Sequence, residues 1–216
     1  MGNNKTTTGT TTKEGAVVEQ KITKKFVIVI DPGHGDKLKG GWRDPGTHTK
    51  DEKHLECDYV LTLSKAIKES LDTNSNYEVY LTREEDGVVV DKKLYWRTDF
   101  ATEKNADIFI SVHMDSGSKK GVFNLVQGNG DNLDKSTKLS DFIIEKIKAS
   151  EIVTAEKDKP DHRNLAVLRT FNGEAGVLVE FGGIDSDIKD VINTKKEEIG
   201  ELFLDAVNDY YNDRGQ

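Results

Sequence analysis

A single cysteine, Cys57, stands in the whole chain, so no intramolecular disulfide can staple the fold and no thiolate cluster can hold a metal. Any metal site must therefore rest on histidines and carboxylates, and Cys57 itself reads as a small apolar residue on a helix. Long apolar runs are missing too. No stretch reaches the roughly 18 residues that a membrane-crossing helix needs, so no membrane span is expected. Basic residues are the minority, 31 Lys plus Arg against 39 Asp plus Glu for a formal charge of -8. A surface of that sign repels phosphate backbones, which argues against nucleic acid as a partner. Apolar residues make up only 35% of the chain. Much of the deficit falls in residues 1–22, MGNNKTTTGTTTKEGAVVEQKI, which carry almost no large side chains. We expect 1–22 to be a disordered Thr-rich tail or linker and 23–216 to form one folded domain, a size that buries a sufficient core without staples. The N-terminus also lacks the charged and apolar regions of a secretory signal. Met1-Gly2 followed by threonines fits a linker to another module or the remnant of a removed leader.

What is present begins abruptly at Phe26. FVIVID is a continuous, largely β-branched apolar run ended by Pro-Gly, the pattern of a strand buried on both faces. YEVYLT (77–82), DIFISV (107–112) and GVLVEF (176–181) resemble it, and GVFNLVQ (121–127) and NLAVLR (164–169) read as further strands. Helical spacing fills 55–71, 91–104, 134–149 and 194–211. In the first of these, Leu55, Tyr59, Leu63, Ile67 and Leu71 step by four along one face, while Lys65, Lys68 and Glu69 fall elsewhere. Alternating strands and helices predict a single α/β domain: about six strands in a mostly parallel mixed sheet, with helices on both faces. No internal repeat is apparent.

In such sheets the ligand crevice lies beyond the carboxyl ends of the strands. Three residues with useful chemistry fall there: His34 in DPGHG after the first strand, His113 just past DIFISV, and Glu180 near the end of GVLVEF. Each has an ordinary structural explanation, as a cap, a satisfied core histidine, or an arginine's partner. Two imidazoles and a carboxylate gathered at one edge, however, are the donors zinc prefers, and a second carboxylate supplies a base. Glu56, where the chain returns to the sheet edge after a long glycine-rich loop, is the natural third ligand. A Glu in a first helical turn also suits the helix dipole.

These residues sit in segments that resemble a known family. DPGHGDKLKGGWRDPGTHTKDEKHLECDYVLTLSKAI is similar to the zinc-binding opening of the amidase-3 N-acetylmuramoyl-L-alanine amidases, which implies His34 and Glu56 as its first and second ligands. SVHMDS resembles the segment carrying the third, at His113, and VLVEFGGIDS the one carrying the catalytic glutamate, at Glu180. YEVYLTREED, RTDFATEKNADIFISVH and NLAVLR match in order, so the resemblance covers roughly 26–211. It implies one Zn2+ per chain. It also implies hydrolysis of the amide between N-acetylmuramic acid and L-alanine in peptidoglycan, in the periplasm, outside the cell or in the cell wall, as in autolysins and phage endolysins. A metal-dependent peptidase or deacetylase, or a peptidoglycan-binding module without activity, are the alternatives.

The sequence departs from the family beside Glu180, where FGGIDSD replaces the usual Gly-Phe-x-[ST]-Asn turn, and Asp115 stands where a small or amide residue is common. Trp42, in the first loop, and Asp115 are candidate substrate contacts. His48, His54 and His162 lie in charged segments and read as solvated. Arg83 and Arg97 match family positions, and burial against neighbouring carboxylates explains them as well. Some relatives carry an inserted helix that covers the zinc. Here the longest connection between His113 and Glu180, SEIVTAEKDKPDHR, is too charged for an amphipathic lid and contains Pro160. The chain is therefore expected to work as a monomer without an activating partner.

Overall fold

Seven consecutive residues, Phe26–Pro32, form strand β1 and are buried throughout, because the strand lies inside a sheet covered on both faces. The computed structural model describes residues 24–35, 37–38, 44–85, 89–90 and 94–214. The segment 1–22 and Trp42 lie outside the described residues. After β1 follow β2 (Lys37–Leu38), α1 (Glu56–Leu71), β3 (Tyr77–Leu81), β4 (Val89–Val90), α2 (Trp96–Glu103) and β5 (Ile108–Asp115). The second half runs β6 (Phe123–Gln127), α3 (Leu133–Ala149), β7 (Asp161–Arg163), β8 (Ala175–Gly183) and α4 (Ile188–Asp213).

Six strands make the main sheet in the order β3-β1-β5-β8-β6-β7, and the short β2 and β4 pair separately. Four of its five pairings are parallel and β6 against β8 is antiparallel. The sheet is thus the mostly parallel mixed one that alternating strands and helices imply. Residue alternation divides it cleanly. Phe26, Ile28 and Ile30 join Ile108, Ile110, Val112, Val177 and Val179 in a core under α1, α3 and α4. Val27, Val29, Phe109 and Leu178 point the other way. That second face is covered by the short α2, through Phe100 and Ala101, and by the turn carrying Leu165, Val167, Leu168 and Phe171.

Helix α1 buries Val60, Leu63, Ile67 and Leu71 completely, and burying each such side chain favours folding by about 1.5–3 kcal/mol. Glu56 and Asp58 in its first turn and Lys68 in its last agree with the helix dipole. Several elements differ from the sequence reading. Residues 164–169 are turns rather than a strand: Leu168 N–H and Arg169 N–H both donate to Leu165 O, so the apolar side chains cap the sheet face instead of extending it. The sixth strand is the polar Asp161–Arg163, paired with Leu125–Gln127. Helix α4 starts six residues earlier than expected, at Ile188, and is interrupted at Lys195 (φ -131°, ψ 15°).

Candidate metal centre

The loop after β1 must turn sharply, and His34 does so in the left-handed region at φ 57°, which few non-glycine residues adopt. Two buried arginines hold the backbone there. Arg83 donates to Pro32 O (3.1 Å), Gly33 O (2.9 Å) and Cys57 O (2.8 Å). Arg97 donates to Pro32 O (2.9 Å) and His34 O (2.7 Å), and its other partner is the fully buried Asp31 (2.5 Å). The sequence reading gave both arginines carboxylate partners. Arg97 has one in Asp31, and Arg83 bonds to the carbonyl oxygens of Pro32, Gly33 and Cys57, which ties β1 to the start of α1. Asp31 also accepts from Thr82 (2.6 Å) and Ser111 (2.7 Å). Burial alone would raise its pKa, but the Arg97 charge and these hydrogen bonds outweigh it and hold the carboxyl below the ordinary value.

Beyond this scaffold the structure brings His34, Glu56 and His113 together, with one candidate ligand atom from each inside a 4.8 Å span. Glu56 is buried and accepts from Met114 N–H (2.9 Å) and Thr47 N–H (2.8 Å). Its Oε1 lies 3.2 Å from His34 Nε2 and 3.0 Å from His113 Nδ1. The other His34 nitrogen, Nδ1, meets Asp44 Oδ1 at 2.8 Å.

Two glycines clear the space. A Cβ on Gly33 would come within 2.4 Å of the His113 ring. One on Gly46, which has φ +73°, would come within 2.4 Å of Glu56 Oε2. The donor set suits a zinc ion, since two neutral imidazoles and a carboxylate form a three-ligand site with room for a further oxygen. The electrostatics favour positive charge there as well. Burial raises the Glu56 pKa, but hydrogen bonds from His113 and His34 prevail and lower it. Burial lowers that of His34, but hydrogen bonds to Asp44 and Glu56 prevail and raise it to about 9.

Glu180 stands directly across from His113 in the β5/β8 register. Its Oε2 is closed off from solvent and finds no hydrogen-bond partner among the described residues. Burial pushes its pKa from 4.5 up to about 7, the Glu56 and Asp115 charges assist, and the histidines oppose. Asp115 is thus close enough to act on Glu180 electrostatically, and it sits two residues beyond His113 on the same strand. The FGGIDSD segment docks on the loop that follows Asp115. Gly183 N–H donates to Lys119 O (2.7 Å), Ile184 N–H to Asp115 O (3.0 Å) and Asp185 N–H to Gly117 O (2.9 Å). This departure from the family turn therefore fixes the wall of the cleft beside Glu180.

The remaining histidines stand apart from the cluster. His48 and His162 are exposed, while His54 is less solvated than its charged segment suggests and bonds Tyr59 Oη at 2.6 Å. Sequence reasoning missed Asp44, Gly46 and Gly33. A signal existed: Asp-Pro-Gly occurs twice, at 31–33 and 44–46, and takes two of the chain's three prolines.

The fold and this cluster define an α/β protein with a metal-site candidate at the carboxyl edge of a mixed sheet. Residues 28–209 match the amidase-3 family, described as N-acetylmuramoyl-L-alanine amidase, and the chain belongs to that family. Over 93 residues it is 33% identical to the N-acetylmuramoyl-L-alanine amidase AmiC of Escherichia coli O6:H1, covering 43% of this chain and 20% of that protein. The chain thus matches about a fifth of that relative's length. An N-acetylmuramoyl-L-alanine amidase from Clostridium difficile 630 has the same fold, with a TM-score of 0.76 at 24% identity over 89% of this chain and 100% of the other. The CwlD amidase of Clostridioides difficile, solved in complex with the GerS lipoprotein, gives 0.72 at 22% identity over 87% and 99%. Among the described residues no helix is long and apolar enough to cross a membrane.

Proposed function

We propose that this chain is a zinc-dependent peptidoglycan amidase that hydrolyses the bond between N-acetylmuramic acid and L-alanine, with His34, Glu56 and His113 as metal ligands and Glu180 as general base. The observation that carries the reading is the convergence of those three ligands within 4.8 Å, beside a carboxylate whose pKa is raised to about 7. A zinc ion held by the three residues would supply a Lewis acid for the amide carbonyl and make water acidic enough to give up a proton near neutral pH. Glu180 takes that proton at its sequestered carboxylate as the water oxygen adds to the carbonyl carbon. It then gives the proton to the alanine nitrogen as the C–N bond breaks, leaving a free carboxyl on the glycan and a free amine on the peptide. A base with a pKa near 7 can do both at neutral pH. Membership of the family supports peptidoglycan as the substrate class, and with it action in the periplasm or the cell wall.

We further propose that the chain acts as a monomer without an activating partner, because no inserted helix between His113 and Glu180 lies on the face that carries the site. Between His113 and Glu180 the only helix is α3, and its buried residues Leu139, Ile143 and Ile147 join the core on the sheet face away from Glu180. CwlD, in contrast, was solved with a lipoprotein partner. The deciding experiment is mass spectrometry of isolated sacculi digested with the purified chain, with and without a chelator. Zinc-dependent release of peptides with free N-terminal alanine is expected, without any second protein. Cleavage within the peptide or at the sugar N-acetyl group would replace this reading by a peptidase or a deacetylase.

A further inference from the structure

We infer that Asp44 is the positioning residue of the metal centre: it selects the nitrogen that His34 offers to the cation and sets how tightly the cation is held. The inference rests on the zinc reading above. A neutral imidazole carries one N–H, and an ionised carboxylate can only accept. With Nδ1 at 2.8 Å from Asp44 Oδ1, a ring made neutral by a bound cation keeps its proton on Nδ1 and offers the lone pair of Nε2, the nitrogen that lies 3.2 Å from Glu56 Oε1. Asp44 therefore stands behind the ring. It is on the far side from the atoms that converge, so it cannot bind the same ion as His34 Nε2, and the convergent group consists of His34, Glu56 and His113 without it.

The placement of Asp44 is built into the backbone. Gly35 N–H donates to Asp44 O (2.9 Å) and Asp44 N–H to Gly35 O (3.3 Å). This two-bond clasp closes the loop directly behind His34. Arg97 meanwhile holds the His34 carbonyl at 2.7 Å, which keeps the residue in its left-handed conformation. The ring is thus fixed from the backbone side and from Nδ1 together. His113 is held differently. It faces Glu56 with Nδ1, is carried by the interior of β5, and packs over Gly33; among the described residues no second carboxylate orients it. His34, on a loop, depends on Asp44 where His113 depends on the sheet. Carboxylate partners of metal-bound histidines typically change metal affinity by 10–100-fold when removed.

The test uses the full chain as Asp44→Ala and Asp44→Asn. Zinc dissociation constants are measured at one pH by competition with a chromogenic chelator, melting temperatures are taken for the zinc-free proteins, and activity is followed from substoichiometric to saturating zinc. Alanine should bind zinc 10–100-fold more weakly. Asparagine, which keeps an acceptor at the same place but not the charge, should fall between it and wild type. The zinc-free melting temperatures should stay close together, and saturating zinc should restore most of the activity, which a loss of folding or of catalysis would not permit. If both variants bind zinc within twofold of a wild type that binds it tightly, Asp44 has no such role. Activity that stays low in saturating zinc at full occupancy would also overturn the inference and move Asp44 into the chemistry. A wild-type chain that takes up no zinc would overturn the zinc reading itself, and this inference with it.

Discussion

His113 and Glu180 are cross-strand partners on the parallel strands β5 and β8, the last pair before the register shifts. Side chains at paired positions on neighbouring strands point to the same face, so the register alone fixes the imidazole and the carboxylate beside one another. Neither depends on a flexible loop. Immediately past this pair the register shifts, and Asp115 then pairs with Gly183, whose N–H donates to Lys119 O.

Glu180→Gln separates the proposed base from the rest of the site. The amide is nearly isosteric but accepts no proton from water, so activity should fall about 10²–10⁴-fold while zinc content stays at one per chain. A variant keeping more than about a tenth of the wild-type rate would move the base elsewhere, with Asp115 the next residue to examine. The same substitution should stabilise the zinc-free protein at high pH. The folded-state pKa of Glu180 is raised from 4.5 to about 7, so its favourable contribution is complete below about pH 4.5 and is lost as pH climbs through 7. Glutamine does not ionise. Urea unfolding of the two zinc-free proteins should coincide near pH 4 and diverge by up to about 3 kcal/mol at pH 8; identical curves at pH 8 would show that the carboxylate is better solvated than its sequestered Oε2 implies.

His113→Ala tests the ligand assignment. Removing one of three protein donors should leave elemental analysis with little or no zinc and turnover undetectable, while His162→Ala, on an exposed strand away from the cluster, should change neither. Full occupancy in the His113 variant would mean that the ligand is misassigned.

The parts of this fold that could be read from sequence are those in which one physical signal dominates. FVIVID announces β1 because both faces of that strand are buried, and the four-residue steps of α1 follow from its single core face. The candidate site was legible for a similar reason: His34, His113 and Glu180 fall at strand ends, where a parallel sheet puts its crevice. NLAVLR misled because the same apolar composition serves a strand or a sheet-capping turn. Leu165, Leu168 and Phe171 follow each other at intervals of three, the turn's spacing. Asp161–Arg163 was illegible because an edge strand of polar residues has no hydrophobic pattern to show. Asp44 was overlooked because its role depends on a clasp with Gly35 that no local spacing encodes, although the repeated Asp-Pro-Gly pointed towards it.

Behind the site, the Asp31–Arg97 pair should prove strongly coupled. Arg97→Met leaves a fully buried carboxylate without its cation, and breaking a buried pair from one side typically costs about 3–5 kcal/mol. Because the Asp31 pKa is held below 3.8 in the folded protein, its stabilising contribution is present above that pH and is lost as pH falls below it. Arg97→Met should therefore be least damaging in acid and most damaging at neutral pH. Adding Asp31→Asn should recover part of the loss at pH 7, where the amide oxygen accepts from one of the Thr82 and Ser111 hydroxyls and the amide nitrogen donates to the other. Urea unfolding of the four members of the cycle measures the coupling, and additive losses would show that Arg97 acts only through its bonds to Pro32 O and His34 O.

Gly46→Ala and Gly117→Ala form a matched pair that distinguishes backbone strain from loss of space. Both glycines have left-handed backbones, φ +73° and φ +81°, so each alanine suffers similar conformational strain, of order 1 kcal/mol. Their surroundings differ. A Cβ at Gly117 meets nothing within 4 Å, whereas one at Gly46 falls 2.4 Å from Glu56 Oε2 and 2.7 Å from His34 Cδ2. Either Glu56 or the Pro45-Gly46 backbone must then move. Glu56 is tied to Met114 N–H and Thr47 N–H, so displacing it also breaks hydrogen bonds that orient it between the two imidazoles. Gly117→Ala should consequently lower the melting temperature slightly and leave the zinc dissociation constant unchanged. Gly46→Ala should lower stability further and weaken zinc binding by at least tenfold, since a displacement of a few tenths of an ångström already spoils the distances a zinc ligand must keep. Equal zinc affinities in the two variants, measured by chelator competition, would show that the loop at 44–47 yields easily and that the space around Glu56 is not what holds it in place.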